Sequence, residues 1–236
     1  MVQLCEAVRS FVVASFAIFL TAAALPPMSN ASRDPLREQI IASASALPPG
    51  KLDFDRTTRL ERKGGGSLLR QVRTERWDGE HWTLVSVDGK DPSERERRAL
   101  QRRENTDDVP GYHQLARIMA AAQDRRIDES GRTILMVPVL PAGTVLADGK
   151  DISQHLKGEA ILGNRAGRPW VERLTVSERE PFKLNLLIKV TSFEQVNNYR
   201  ISADGEPRLV AQRNASVGSM FGYSGGEKSE VLYAYR

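Results

Sequence analysis

Four Asp-Gly dipeptides, Asp78-Gly79, Asp88-Gly89, Asp148-Gly149 and Asp204-Gly205, punctuate the chain. Between them lie runs that alternate apolar and polar residues. Asp-Gly supplies the positive φ angles of a tight hairpin, and a period of two places one side of a strand on a core. Together they constrain much of the chain to antiparallel sheet. Leu68–Trp77 and His81–Val87 flank the first turn, and Asp88-Gly89 closes the second of these strands. Tyr199–Ala203 and Arg208–Arg213 flank Asp204-Gly205. Leu52–Leu60 is a further strand, set off by Gly64-Gly65-Gly66. Thr133–Leu140 is almost wholly apolar and fits a buried strand, and Val231–Tyr235 is a terminal one. Leu184, Leu186, Ile188 and Val190 alternate with Lys183, Asn185, Lys189 and Thr191, so residues 184–190 are expected to form another. Gly167 marks one more turn.

Helical signals are fewer. Asp34 can cap a helix whose first residue is Pro35, with Leu36, Ile40, Ile41, Ala44 and Leu47 on one stripe and Pro48-Pro49-Gly50 as the stop. Asp91-Pro92-Ser93-Glu94 reads as a second start, with Asp91 as cap and Glu94 reaching back to it. Tyr112–Gln123 forms a third, with Leu115, Ile118, Met119 and Ala122 on one face. The economical architecture is α+β: one strongly curved antiparallel sheet with helices on one side.

The N-terminus reads as an export signal. Arg9 precedes an apolar run from Phe11 to Leu25, and Ala22, Ala23 and Ala24 supply small residues for cleavage after Ala24, with Ala31 as the second choice. A run of about 15 residues is short for a membrane span, which needs about 20; the alternative is an uncleaved anchor. The one cysteine, Cys5, precedes the apolar run, so it cannot carry an attached lipid, and the exported chain has no thiol. The expected organisation is signal peptide 1–24, a flexible segment 25–33, and one domain from 34 to 236 in the periplasm. A net charge of +4 and a pI of 9.3 suit anionic partners without naming one.

Chemistry-bearing motifs are weak. Gly222-Tyr223-Ser224-Gly225-Gly226 has the letters of a nucleophile elbow, but no histidine follows it. A glycine-rich hairpin is the better reading. His81, His113 and His155 are scattered without metal-ligand spacing, and Asp148-Gly149-Lys150-Asp151 lacks the carboxylate pattern of a calcium loop. Arg95, Arg97, Arg98, Arg102 and Arg103 make the second helix basic. No aromatics interleave to stack on bases, so nucleic acid is not expected. A solvated face is the simple reading; Arg95, Arg98 and Arg102 are the candidates for docking an acidic protein or an anionic membrane.

The stretch "RTERWDGEHWTLVSVDGKDPS", with Trp77, Asp78, Gly79, Trp82, Leu84, Gly89 and Pro92, resembles uncharacterised periplasmic proteins of the LolA-like outer-membrane lipoprotein carrier superfamily. The resemblance implies an incomplete, half-open β-barrel whose concave face is covered by helices, with a hollow that takes acyl chains. It implies no enzyme activity and no cofactor. The partner it implies is a lipid or lipoprotein acyl chain. Candidate lining residues are Trp82, Leu84, Leu184, Leu186, Ile188 and Val190, which would serve equally well as a filled core. The competing function is a cell-envelope scaffold that docks a partner through the basic helix and holds no small ligand.

Overall fold

The computed structural model describes residues 34–48, 52–104, 109–147 and 149–236, and for 102–104 the backbone alone. The expected signal peptide, its cleavage positions, Cys5, the segment 25–33, the Asp148 turn residue and the Arg102 side chain lie outside what is described.

The strands are β1 (Phe54–Gly64), β2 (Ser67–Trp77), β3 (Trp82–Val87), β4 (Asp124–Ile127), β5 (Thr133–Val137), β6 (Leu146–Ala147), β7 (Lys150–Asp151), β8 (Leu156–Arg165), β9 (Arg168–Glu178), β10 (Phe182–Lys183), β11 (Ile188–Ile201), β12 (Pro207–Met220) and β13 (Tyr223–Tyr235). Eleven of them form one sheet, in the order β3-β2-β1-β13-β12-β11-β9-β8-β5-β4, with β10 paired to β11. All its pairings are antiparallel. β1 joins β13, so the two ends of the domain meet in mid-sheet, while β3 and β4 remain as edges and the sheet stays open. Alternation, Asp-Gly turns and an α+β antiparallel sheet thus emerge as the sequence anticipates.

The Asp78-Gly79 turn is held by the Asp78 carboxylate, which accepts from the backbone N–H of Glu80 (2.9 Å) and His81 (2.7 Å). Gly79 takes φ 101°, open to glycine without strain. Both edges are protected. Edge strand β4 presents Asp124, Arg125 and Arg126, all exposed, and charge discourages further pairing. Edge strand β3 is flanked by a helix described below.

Three helices accompany the sheet: α1 (Pro35–Ser45), α2 (Glu94–Glu104) and α3 (Leu115–Ala120), the last preceded by a 3-10 turn at Tyr112–Gln114. Asp34 caps α1 by accepting from Leu36 N–H at 3.0 Å. The α2 cap differs from expectation. Ser93, not Asp91, is the cap residue: Glu96 accepts from the Ser93 N–H (2.7 Å) and hydroxyl (2.6 Å). The pattern S-x-x-E two residues further on closes a full capping box, whereas Pro92 is buried ahead of the helix. The third helix is shorter than expected, but its predicted face holds: Leu115, Ile118, Met119 and Ala122 are all buried.

One core unites helices and sheet. Ile40 and Ala44 of α1 and Leu115 and Met119 of α3 share it with Leu135, Leu156, Val171, Leu174, Val176, Phe193 and Phe54. The side of the sheet facing this core is its inner face. α1 packs on α3 and on β9, α3 on β5, and α2 on β3, so the helices sit towards the two edges of the sheet. Arg37 of α1, 5% exposed, donates to the carbonyl of Ala122 at 2.9 Å and ties the two core helices together.

Candidate functional site

The inner face is written into the parity of the long central strands. On β11, beyond the bulge near Thr191, the buried positions are Phe193, Gln195, Asn197 and Tyr199. Register carries the same side through Gln212 and Asn214 of β12, Val231 and Tyr233 of β13, Phe54 and Arg56 of β1, and Glu75 and Trp77 of β2, to Trp82 and Leu84 of β3. Along these strands the face divides into two zones.

The first zone is aromatic. Phe54 meets Trp82 edge-on at 5.5 Å and Tyr233 at 5.5 Å, and Trp77 lies 5.4 Å from Trp82. Tyr112 meets Tyr199 at 89° across the core, and its hydroxyl accepts from Val171 N–H at 2.9 Å. Such edge-to-face pairs add to the gain from simple burial. Burial pushes the Tyr199 hydroxyl pKa upward and that of Tyr233 to about 12, so both stay protonated donors at neutral pH.

The second zone is polar, although it lies on the core side. Gln195 donates to Asn197 (3.2 Å) and Tyr233 to Gln212 (3.3 Å), while Gln212 donates to Asn214 (3.4 Å) and Asn214 to Ser229 (3.1 Å). Beside this amide row, Glu75 accepts from Arg56 (2.9 and 2.6 Å) and from Arg73 (2.8 Å), with its side chain only 4% exposed. The Arg56 guanidinium also lies 4.0 Å over the Trp82 ring, a cation–π contact on the seam between the zones. Further along β1, Arg62 bonds Glu227. Among the described residues, Gln195 Oε1 and Trp77 Nε1 are buried without a hydrogen-bond partner, which is uncommon for buried polar groups.

Sequence reasoning placed six apolar residues around one hollow or in a filled core; Trp82, Leu84 and Val190 belong to one packed core with Leu184 against it, and Leu186 stands outside. Trp82 and Leu84, each 5% exposed, are packed inside the aromatic zone. Val190 is buried opposite Gly218, and Ile188 is half-buried opposite Met220. Leu184 is half-buried, and Leu186 is 98% exposed. The first part of the expected strand, residues 184–187, is in fact a chain reversal, and the strand begins only at Ile188. The Asn185 side chain accepts from Leu187 N–H (2.9 Å) and Ile188 N–H (2.8 Å), so the strand is broken between β10 and β11. A local Asx turn imitated a period of two.

Of the docking candidates, Arg95 and Arg98 are exposed on α2, and Arg98 reaches Glu94 at 3.9 Å, both side chains being largely in solvent. Leu100, 3% exposed, is the anchor that holds this helix to the core. The polar zone went unrecognised in sequence. Its signal was present as Gln195 and Asn197 sharing parity with Phe193 and Tyr199, and as Arg56 and Glu75 meeting across β1 and β2. A groove of about 420 Å³ on the other face of the sheet carries Arg132, Trp170, Arg173 and Arg200. Arg132 there is already paired with Asp128, and Arg173 with Asn198.

The histidines are poorly placed for chemistry. His81 Nδ1 lies 2.8 Å from its neighbour's carbonyl at the surface, and His155 stacks on Phe182 at 4.6 Å. Burial lowers the His113 pKa to about 4 and keeps that ring neutral. Among the described residues no group of three or more His, Cys, Asp or Glu could hold a metal ion.

No family model matches the chain, and no curated protein matches it. Among solved structures it is similar to a crystal structure from Vibrio parahaemolyticus described as a "putative outer membrane lipoprotein-sorting protein domain". The likeness has a TM-score of 0.34 and 12% identity, over 84% of this chain and 91% of the other.

Proposed function

We propose that the protein is a non-enzymatic binding or carrier protein of the periplasm, which holds an amphiphile on the inner face of its open sheet. The amphiphile is a lipid or the acyl-bearing end of a lipoprotein. The observation that supports this reading most is the division of that face. Phe54, Trp77, Trp82 and Tyr233 form a buried aromatic part, and Gln195, Asn197, Gln212, Asn214, Arg56 and Glu75 form a polar part beside it, so an amphiphile takes the place of contacts the chain now makes with itself. An amphiphile has the same division. Its chain gains about 25 cal/mol for each Å² of apolar area removed from water. Its head can engage polar groups already held by their neighbours.

No chemistry is needed. The carboxylate most buried in the polar zone, Glu75, has its oxygens engaged by the Arg56 and Arg73 guanidiniums. Native mass spectrometry and lipid extraction of the protein purified from its host envelope should reveal bound amphiphile, and the stripped protein should take up a fluorescent fatty acid. A protein that carries no lipid and leaves the probe in water overturns the proposal.

The second reading is an envelope scaffold that docks an acidic partner through α2. It is favoured by the exposure of Arg95 and Arg98 on a helix latched by Leu100. Loss of partner capture in Arg95→Glu/Arg98→Glu, with lipid content unchanged, would select it.

A further inference from the structure

The three hairpin turns β1–β2, β10–β11 and β12–β13 lie side by side at one end of the sheet. Gly64 is in register with Gly225, and Ile188 with Met220. The Phe221 N–H donates to the Leu187 carbonyl at 3.2 Å, which ties two of the tips directly. These tips carry Leu68 (49% exposed), Leu69 (47%), Leu186 (98%), Leu187 (50%), Phe221 (64%) and Tyr223 (74%). Tight turns ordinarily use Gly, Asn, Asp or Pro, and scattered surface leucines need no explanation, but six large apolar side chains grouped at adjoining tips do.

Phe221 sharpens the point. Its φ is 51°, followed by Gly222 at 82°, so the turn requires a left-handed residue where asparagine or glycine is comfortable and a bulky aromatic is strained. Yet the ring leaves most of its surface in water and stabilises no core. A strained, exposed aromatic at a turn is spent on something outside the fold.

Charge indicates what that is. Lys183 and Lys189 are paired in register beside the Leu186 tip, both exposed and, among the described residues, without an ion pair. Lys63 stands in register with Leu68 but is already paired with Glu61 at 3.5 Å. Glu61 also accepts from Arg70, and Glu227 is engaged by Arg62. Apolar tips inside a collar of lysines match the interface of an anionic bilayer, with side chains among the acyl ends and ammonium groups among the headgroups. A second copy docked tip to tip would oppose lysine to lysine.

We infer that the three hairpin tips form a membrane-surface docking site, in which Leu186, Leu187, Phe221 and Tyr223 enter an anionic lipid interface and Lys183 and Lys189 meet its headgroups. The inference is independent of what the inner face holds.

The test is flotation of the full chain and its tip variants with vesicles of phosphatidylcholine, with and without phosphatidylglycerol. Comparison with variants makes any contribution of the N-terminal apolar run common to both sides. Leu186→Asn/Phe221→Asn should weaken binding to the anionic vesicles about tenfold or more. Because asparagine suits the left-handed turn, its thermal midpoint should be kept or raised. Lys183→Glu/Lys189→Glu should remove the preference for phosphatidylglycerol. In Phe221→Trp, fluorescence from the tip should shift to the blue on adding anionic vesicles. Failure of that shift, or flotation indifferent to the tip substitutions, overturns the inference. Self-association abolished by Phe221→Asn, without vesicle binding, also overturns it.

Discussion

Glu75 shows how much one side chain can organise. It sits on the core side of β2, 4% exposed, and receives both Arg56 and Arg73. A buried carboxylate is tolerated only when its charge is matched and its lone pairs are filled. Glu75→Gln should therefore destabilise the fold by about 3 kcal/mol, read from the urea midpoint, because two partly buried guanidiniums lose their shared counter-charge. Glu61, half-buried on β1 and paired with Arg70 and Lys63 towards solvent, is the control, and Glu61→Gln should cost much less. His113 gives a pH signature. Burial lowers its pKa from 6.5 to about 4, so the folded state favours the neutral ring and the unfolded state takes up the proton first. Its contribution is complete above the unfolded value and is lost as pH falls from about 6.5 towards 4, a loss of about 3 kcal/mol. Urea titrations at neutral pH and at pH near 5 should show this decline, and His113→Gln should flatten it relative to the parent chain.

At the scale of elements, helix α2 and the long hairpins behave differently. The α2 helix displays its charged face, and its burial rests on Leu100. Leu100→Ala should cost about 2–3 kcal/mol in local stability. It should raise amide exchange across Glu94–Glu104 while leaving β12 and β13 protected. The hairpins, in contrast, depend on backbone space. A side chain on Gly218 would overlap the Lys189 carbonyl oxygen, and one on Gly225 would come within 2.9 Å of the Lys63 carbonyl oxygen. Gly64, Gly218 and Gly225 form a bare strip across three adjacent strands, which lets the strands approach and coil there. Gly218→Val should lower the thermal midpoint sharply, by an amount corresponding to about 2 kcal/mol or more of overpacking. The Asp-Gly hairpins were legible because a turn type is a local property of two residues. The reversal at Leu184–Leu187 was not, because an Asx bond from Asn185 leaves the apolar alternation undisturbed.

At the scale of the molecule, an antiparallel sheet with helices on one side was legible in the spacing of apolar residues and glycine turns, but not that the helices lie towards its margins. The hairpins around Asp78-Gly79 and Asp204-Gly205 and the buried face of α3 follow from periods of two and of 3.6, which neighbouring residues define among themselves. Strand order did not follow. That β13 returns to lie between β1 and β12, bringing Tyr233 onto Phe54 and Glu227 onto Arg62, joins residues about 165 or more positions apart, and chain separation of that length leaves no local trace. The candidate site divides along the same line. The sequence alone determined that one side of each strand would be buried, and it placed Trp82 and Leu84 there. Only the tertiary structure decided that the buried side would be half polar, by setting Gln195, Gln212, Arg56 and Glu75 in one field. It also decided that Leu186 would leave the sheet for a row of exposed hairpin tips. Parity is a property of a single strand, whereas a site depends on register between strands, and register is settled only when the whole sheet closes on its core.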